Sequence, residues 1–276
     1  MRFFSDLLTY PFLQYAVAAA FLSSIASGVV GSITVVRRST YVAGAVSHCV
    51  LGGMGAAGFF RTVYGIGWLT PMVGALVAAV AAACVIAWAT VYVRERLDSV
   101  LSVVWALGMA IGITFIMKTP GYGQDLMSYL FGSILMISGR DLVLMLILDG
   151  VIVVGVFLLY HPILAVCFHE EAARVRGIPV GLITLIILLL TALTTVLLVQ
   201  LVGVVLVIAL LSIPAGTAAR FTSRLSTMMI LATFLCLAFS LGGLVISYGP
   251  ELPVGATIIE LAGVCYLGVL LWRRRS

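Results

Sequence analysis

Long apolar runs recur from one end of this chain to the other, and that recurrence restricts the fold more than any other feature. A run of roughly 18 residues or more is what one helix needs to cross the hydrocarbon of a bilayer. With 63% of its 276 residues hydrophobic and 9% charged, the chain has no stretch long and polar enough for a separate soluble domain. The reading is an all-α polytopic membrane protein, a single transmembrane domain over residues 1–276.

The runs predict spans over roughly 12–36, 41–60, 71–93, 100–117 and 141–160, and later over roughly 226–247 and 254–272. A single helix over the block 182–219 would be about 57 Å long, nearly twice the hydrocarbon thickness. It is therefore read as two spans broken near Gln200 to Gly203, for about nine in all, with eight as the alternative. Lys118 to Arg140 reads as a loop with a short interfacial or re-entrant helix. No small-residue cleavage site follows the first residues, so the first span is expected to be retained.

Nine crossings give a consistent charge ledger. Arg37, Arg38, Arg94, Arg96, Arg174, Arg176, Arg220, Arg224 and Arg273 to Arg275 fall on one side, eleven of the fifteen basic residues. Arg2, Arg61, Lys118 and Arg140 fall on the other. The positive-inside rule places the first group in the cytoplasm. These arginines are short pairs between spans, a topology signal rather than a nucleic-acid patch, despite the net charge of +5. The five cysteines are scattered, mostly inside apolar runs, with no CxxC pair.

One polar stretch breaks the pattern. His169-Glu-Glu-Ala-Ala-Arg-Val-Arg-Gly-Ile-Pro-Val-Gly181 reads as a short cytoplasmic helix over about 168–180. Glu170 and Glu171 fall in its first turn and Arg174 near its end, as the helix dipole favours. Glu170 and Arg174 form an i,i+4 pair. Gly177 supplies the stop and Pro179 prevents continuation. Such a helix either touches a soluble partner or simply joins two spans as solvated chain.

Three ionisable residues fall inside predicted spans, where charge is costly: His48, Asp149 and Glu260. If its span starts near Arg38, His48 lies about 15 Å from the cytoplasmic edge, and Glu260 lies about 18 Å from Trp272. An imidazole and a carboxylate at one depth suit a path that binds a divalent transition metal weakly. The alternative for His48 and Asp149 is a hydrogen-bonded packing residue. No HxxxH or HxxE pair occurs on one helix. The chain has no phosphate-binding G-x-x-x-x-G-K-[ST] loop, so any energy from ATP must come through another chain. Ser47 and His48 point about 100° apart on a helix and are not a catalytic pair.

Several of these stretches together resemble the zinc/manganese/iron family of ABC importer permeases. They are 37–53 (Arg-Arg-Ser-Thr-Tyr-Val-Ala-Gly-Ala-Val-Ser-His-Cys-Val-Leu-Gly-Gly), 130–135 (Leu-Phe-Gly-Ser-Ile-Leu), 170–179, 202–218 and 252–259. The last two also resemble the vitamin B12 and iron-siderophore permeases. The resemblance implies a type II importer bundle in the bacterial plasma membrane, with no enzyme activity and no resident cofactor of its own. It implies a cargo of divalent metal, zinc or manganese or iron. The implied partners are a cytoplasmic ATP-binding subunit, an extracytoplasmic metal-binding protein and a second permease copy, most simply identical. It makes 169–177 the helix that couples to the ATPase, with Glu170, Glu171, Arg174 and Gly177 as the matching positions. In the family an Asp often stands four residues before the histidine, and here that position is Gly44. Only His48 carries over as a metal ligand, unless Glu260 substitutes for the missing carboxylate.

Three rival readings stay open on sequence grounds. One is an ABC permease for a metal chelate, such as a siderophore or cobalamin, which calls for a wider path. Another is a proton-driven secondary transporter using His48, Asp149 and Glu260. The last is a membrane metalloenzyme, against which the lack of paired ligands on one helix argues.

Overall fold

The computed structural model describes residues 2–120, 132, 137–250 and 252–273. Within them every regular element is a helix. In order these are α1 (Arg2–Thr9), α2 (Pro11–Val36), α3 (Tyr41–Tyr64), α4 (Pro71–Ala87), α5 (Leu97–Lys118) and α6 (Gly139–Leu158). They continue as α7 (Tyr160–Phe168), α8 (Glu170–Val175), α9 (Val180–Val202), α10 (Val207–Ala218), α11 (Leu225–Tyr248) and α12 (Val254–Arg273). A π-helical turn, Trp88–Tyr92, extends α4.

Local chemistry sets several starts. α2 and α4 open on Pro11 and Pro71, whose missing N–H groups cost nothing in a first turn. Thr70 caps α4 by accepting from the Val73 N–H at 3.3 Å. Ser138 and Asp141 form a capping box at α6: the Ser138 N–H donates to Asp141 Oδ2 at 3.0 Å. The predicted 141–160 span does not run straight into the polar stretch. Pro162 clashes with the carbonyl of Leu158 in a continuous helix, so the chain turns at Leu159 and resumes as the separate α7.

Among the described residues eight helices are long and apolar enough to span a bilayer: α2, α3, α4 with its π turn, α5, α6, α9, α11 and α12. In α3, α9 and α2, 78, 72 and 67% of the most apolar stretch is buried, against 39% or less in the others. These three form the centre. α2 carries Ser23, Ser24, Ser32 and Thr34 there without orphaned hydroxyls, because each donates to a carbonyl three or four residues back.

α3 and α5 run parallel along a seam of small residues. A Cβ placed on Gly52 would stand 2.8 Å from the Gly108 carbonyl oxygen, and one on Gly55 2.9 Å from that of Gly112. Backbones come this close in lipid only where side chains are absent. α4 returns antiparallel, with Gly74 against Gly53 and Ala57.

The block 182–219 corrects the nine-span expectation. The break falls where expected, at Gly203 (φ 82), but the second piece is α10, only 12 residues, or about 18 Å. Ser27 Oγ donates to the Leu210 carbonyl at 3.0 Å, and Gly31 lies against Leu211 and Ala215. α10 therefore runs alongside the second half of α2, toward the same side. It is a half-length return, and it preserves the charge ledger that two full spans were expected to supply. Val202, Val204 and Val207 are buried around the break, as non-helical backbone at membrane depth must be. Gly132 closes over it, in left-handed backbone at φ 74. A Cβ there would meet the Gly203 nitrogen at 2.6 Å. The interfacial or re-entrant helix expected within 118–140, and most of the 130–135 motif, lie outside the described residues.

Candidate functional site

The polar stretch folds as α8, six residues long. Its acids Glu170 and Glu171 lie in the first turn and Arg174 in the last. Glu170 and Arg174 pair at 3.6 Å, both well exposed, which is worth a few tenths of a kcal/mol at most. The stop is the predicted one: Gly177 is left-handed at φ 78. Its N–H donates to the Arg174 carbonyl at 3.0 Å and that of Ile178 to Ala173 at 3.1 Å, the paired closure of a Schellman motif. Ala173 is buried and pins α8 to the bundle, while Val175 stands 90% exposed. Glu170, Glu171 and Arg174 also face water. The result is a rigid knob, apolar at its tip and charged at its sides, on the arginine-rich face.

His48 sits inside the bundle, 8% exposed. Its ring stacks on Trp105 of α5, with centroids 4.7 Å apart and planes 27° apart. Its Nδ1 is buried and, among the described residues, has no hydrogen-bond partner. Ser47 turns away and donates to the Gly44 carbonyl at 2.8 Å, while Cys49 Sγ donates to the Val104 carbonyl at 3.4 Å. A Cβ on Gly44 would lie 2.8 Å from Trp105 Cζ3 and closer still to the end of Ile208. The space that a carboxylate would need beside His48 is thus filled by Trp105 and Ile208.

The other two intramembrane acids are elsewhere. Asp149 of α6 is buried at 4% and faces the backbone of Ala26 in α2, and its Oδ1 has no partner among the described residues. Glu260 lies on the exposed face of α12, beside Val264 and Leu267, which are also exposed. Among the described residues no hydrogen bond or ion pair joins either of them to His48. Among the described residues no three His, Cys, Asp or Glu side chains gather as a metal-holding group.

Two residues of this region escaped the sequence reading. Trp105 looked like one more apolar residue of a span, and only its contact with α3 gives it meaning. Arg37 read as a topology signal, yet it reaches into the bundle: Nη2 donates to Thr184 Oγ1 at 2.8 Å. Burial pulls its pKa below the ordinary arginine value, against the upward pull of Cys167 and Glu170.

A model of the ABC 3 transport family matches residues 9–273. A membrane protein of Synechocystis sp. is 41% identical over 267 residues, covering 97% of this chain and 92% of that protein. The manganese transport system membrane protein MntC of Halalkalibacterium halodurans is 34% identical over 264 residues, covering 96% and 88%. Among solved structures, a chain of PsaBC from Streptococcus pneumoniae in complex with Fab superposes with a TM-score of 0.85 at 27% identity, over 97% of this chain and 94% of that one. With nearly its whole length matched, and with the helical spans that such a protein requires, the chain belongs to the ABC 3 transport family, as a multi-pass bacterial membrane permease.

Proposed function

We propose that this permease carries a bare divalent transition metal, manganese or zinc, into the cytoplasm. His48 is its transient ligand, and ATP is spent by a separate cytoplasmic subunit seated on α8. The observation that carries the reading is the buried imidazole of His48, whose Nδ1 has no partner among the described residues. A neutral imidazole nitrogen is a good donor to manganese, zinc or ferrous iron. One ligand holds an ion weakly, and weak holding lets a conduit release what it takes up. The manganese-system name of one relative puts manganese first.

The tight fit of Trp105 and Ile208 around Gly44 and His48 supports a bare ion over a chelate. The separation of His48, Asp149 and Glu260 supports an ATP-driven cycle over a proton relay through those three. Glu260 supports a second copy: a carboxylate within a span is accommodated facing protein or a water-filled path, not lipid. In a pair of identical chains its face of α12 would be covered, and Glu260 would line the path from the dimer side. An extracytoplasmic binding protein would deliver the metal to the outer loops, including 65–70 and 249–253.

The test is metal accumulation, measured element by element, in cells lacking this chain and complemented with wild type or His48→Ala. The expected result is restoration of one or two divalent metals by wild type and at least a tenfold lower initial rate with His48→Ala, at equal membrane abundance. Wild-type rates from the variant would remove His48 from the path. Transport by the purified chain without nucleotide or ATPase would overturn the ATP-driven reading.

A further inference from the structure

One cytoplasmic cleft lies apart from the metal path and is bordered on one side by α8. It has a volume of about 360 Å³ and lies between the ends of α2, α4, α8 and α9. Its charged wall is Arg37, Arg94 and Arg174 against one carboxylate, Glu170. That carboxylate is already engaged by Arg174 at 3.6 Å. Arg37 commits Nη2 to Thr184, while Nη1 is buried with no partner among the described residues. A guanidinium N–H in that state costs free energy until an acceptor arrives. Arg94 is exposed and held in left-handed backbone at φ 62, a conformation uncommon for arginine. Among the described residues it pairs with no acid. The first turns of α3 and α9 also open into the cleft, through Val42 and through Val180 and Gly181, adding N-terminal dipole to the same potential.

We propose that this cleft binds a phosphate-bearing anion, with Arg37 and Arg94 as its cationic ligands. A metal cation is repelled there, so the site stands apart from the cargo path. Guanidinium groups present paired N–H donors that match phosphate oxygens. The cleft lies at the cytoplasmic ends of the spans, the level of lipid headgroups in the anionic leaflet. The phosphate can belong to an anionic lipid or to a soluble molecule, and the recognition chemistry is the same for both.

The experiment is thermal unfolding of the full-length chain in detergent. The probes are phosphatidylglycerol, phosphatidylcholine of the same acyl chains, and inorganic phosphate. At saturation the binding probe raises the unfolding temperature by about 5 °C, and phosphatidylcholine does not. A rise with phosphatidylglycerol alone identifies the lipid source, and a rise with inorganic phosphate identifies a soluble one. Arg94→Gln and Arg37→Gln lose most of the rise. Arg176→Gln, an exposed cation outside the cleft, keeps it. Because Arg94 is exposed, its variant separates lost binding from lost folding, which Arg37→Gln alone does not. An equal rise with phosphatidylcholine, no rise with any probe, or a full rise in Arg94→Gln overturns the proposal.

Discussion

At the scale of single residues, the contact of His48 with Trp105 bears on the aspartate that the resemblance would place at Gly44. Gly44 is an absence that the fold has filled, since Trp105 and Ile208 occupy the volume a larger side chain would need. Gly44→Asp alone should therefore overpack the core, at about 1–3 kcal/mol, and lower the melting temperature of the purified chain. Adding Trp105→Ala should recover much of that loss, because the two positions share one space. A double-mutant cycle measures the coupling, and strict additivity would show that the two do not compete. The sequence made His48 visible, because an imidazole in an apolar run is conspicuous. It could not show Trp105, since nothing local distinguishes that ring from the other aromatics of the spans. Arg37 was hidden for the opposite reason, being one of many arginines whose bulk pattern already had an explanation.

At the scale of elements, helix stops were legible and tertiary breaks were not. Gly177 and Pro179 mark the end of α8 through backbone rules that act within six residues. Gly177→Ala must place a Cβ in left-handed backbone at about 1–2 kcal/mol. That should loosen α8 without disturbing the spans. Its expected signature is normal membrane abundance with weaker retention of the ATPase subunit in pull-down. Val175→Asp should act more strongly, because it puts charge on the apolar tip of the knob. If both variants retain the ATPase as wild type does, α8 is only a connector. The turn at Leu159 and the π turn at Trp88–Tyr92 gave less notice. Pro162 signals the first only once the register of α6 is known, and no residue type announces the second. The shortness of α10 was likewise invisible, because apolar composition continues across Gly203 and length alone favoured two complete crossings.

At the scale of the molecule, the charge ledger assigns the sides, and the proposed second copy would seat on the exposed face of α12 that carries Glu260. A cysteine at position 175 should react with membrane-impermeant maleimide only in inverted vesicles, and one at position 68 only in intact cells. The reverse pattern would invert the topology. In a background without native cysteines, Val264→Cys should cross-link two copies through a bifunctional maleimide, and a monomer at all reagent concentrations would place that face in lipid. The seam between α3 and α5 sets a limit on how any such pair moves. Two helices whose backbones touch at Gly52, Gly108 and Gly112 cannot shear past one another, because the nearest atoms belong to the main chain and no rotamer can yield. In a transport cycle they would turn as one plate, carrying His48 and Trp105 together. The hinges of an alternating cycle must then lie outside that plate, and the buried break at Gly203, with Gly132 folded over it, is where the backbone already bends.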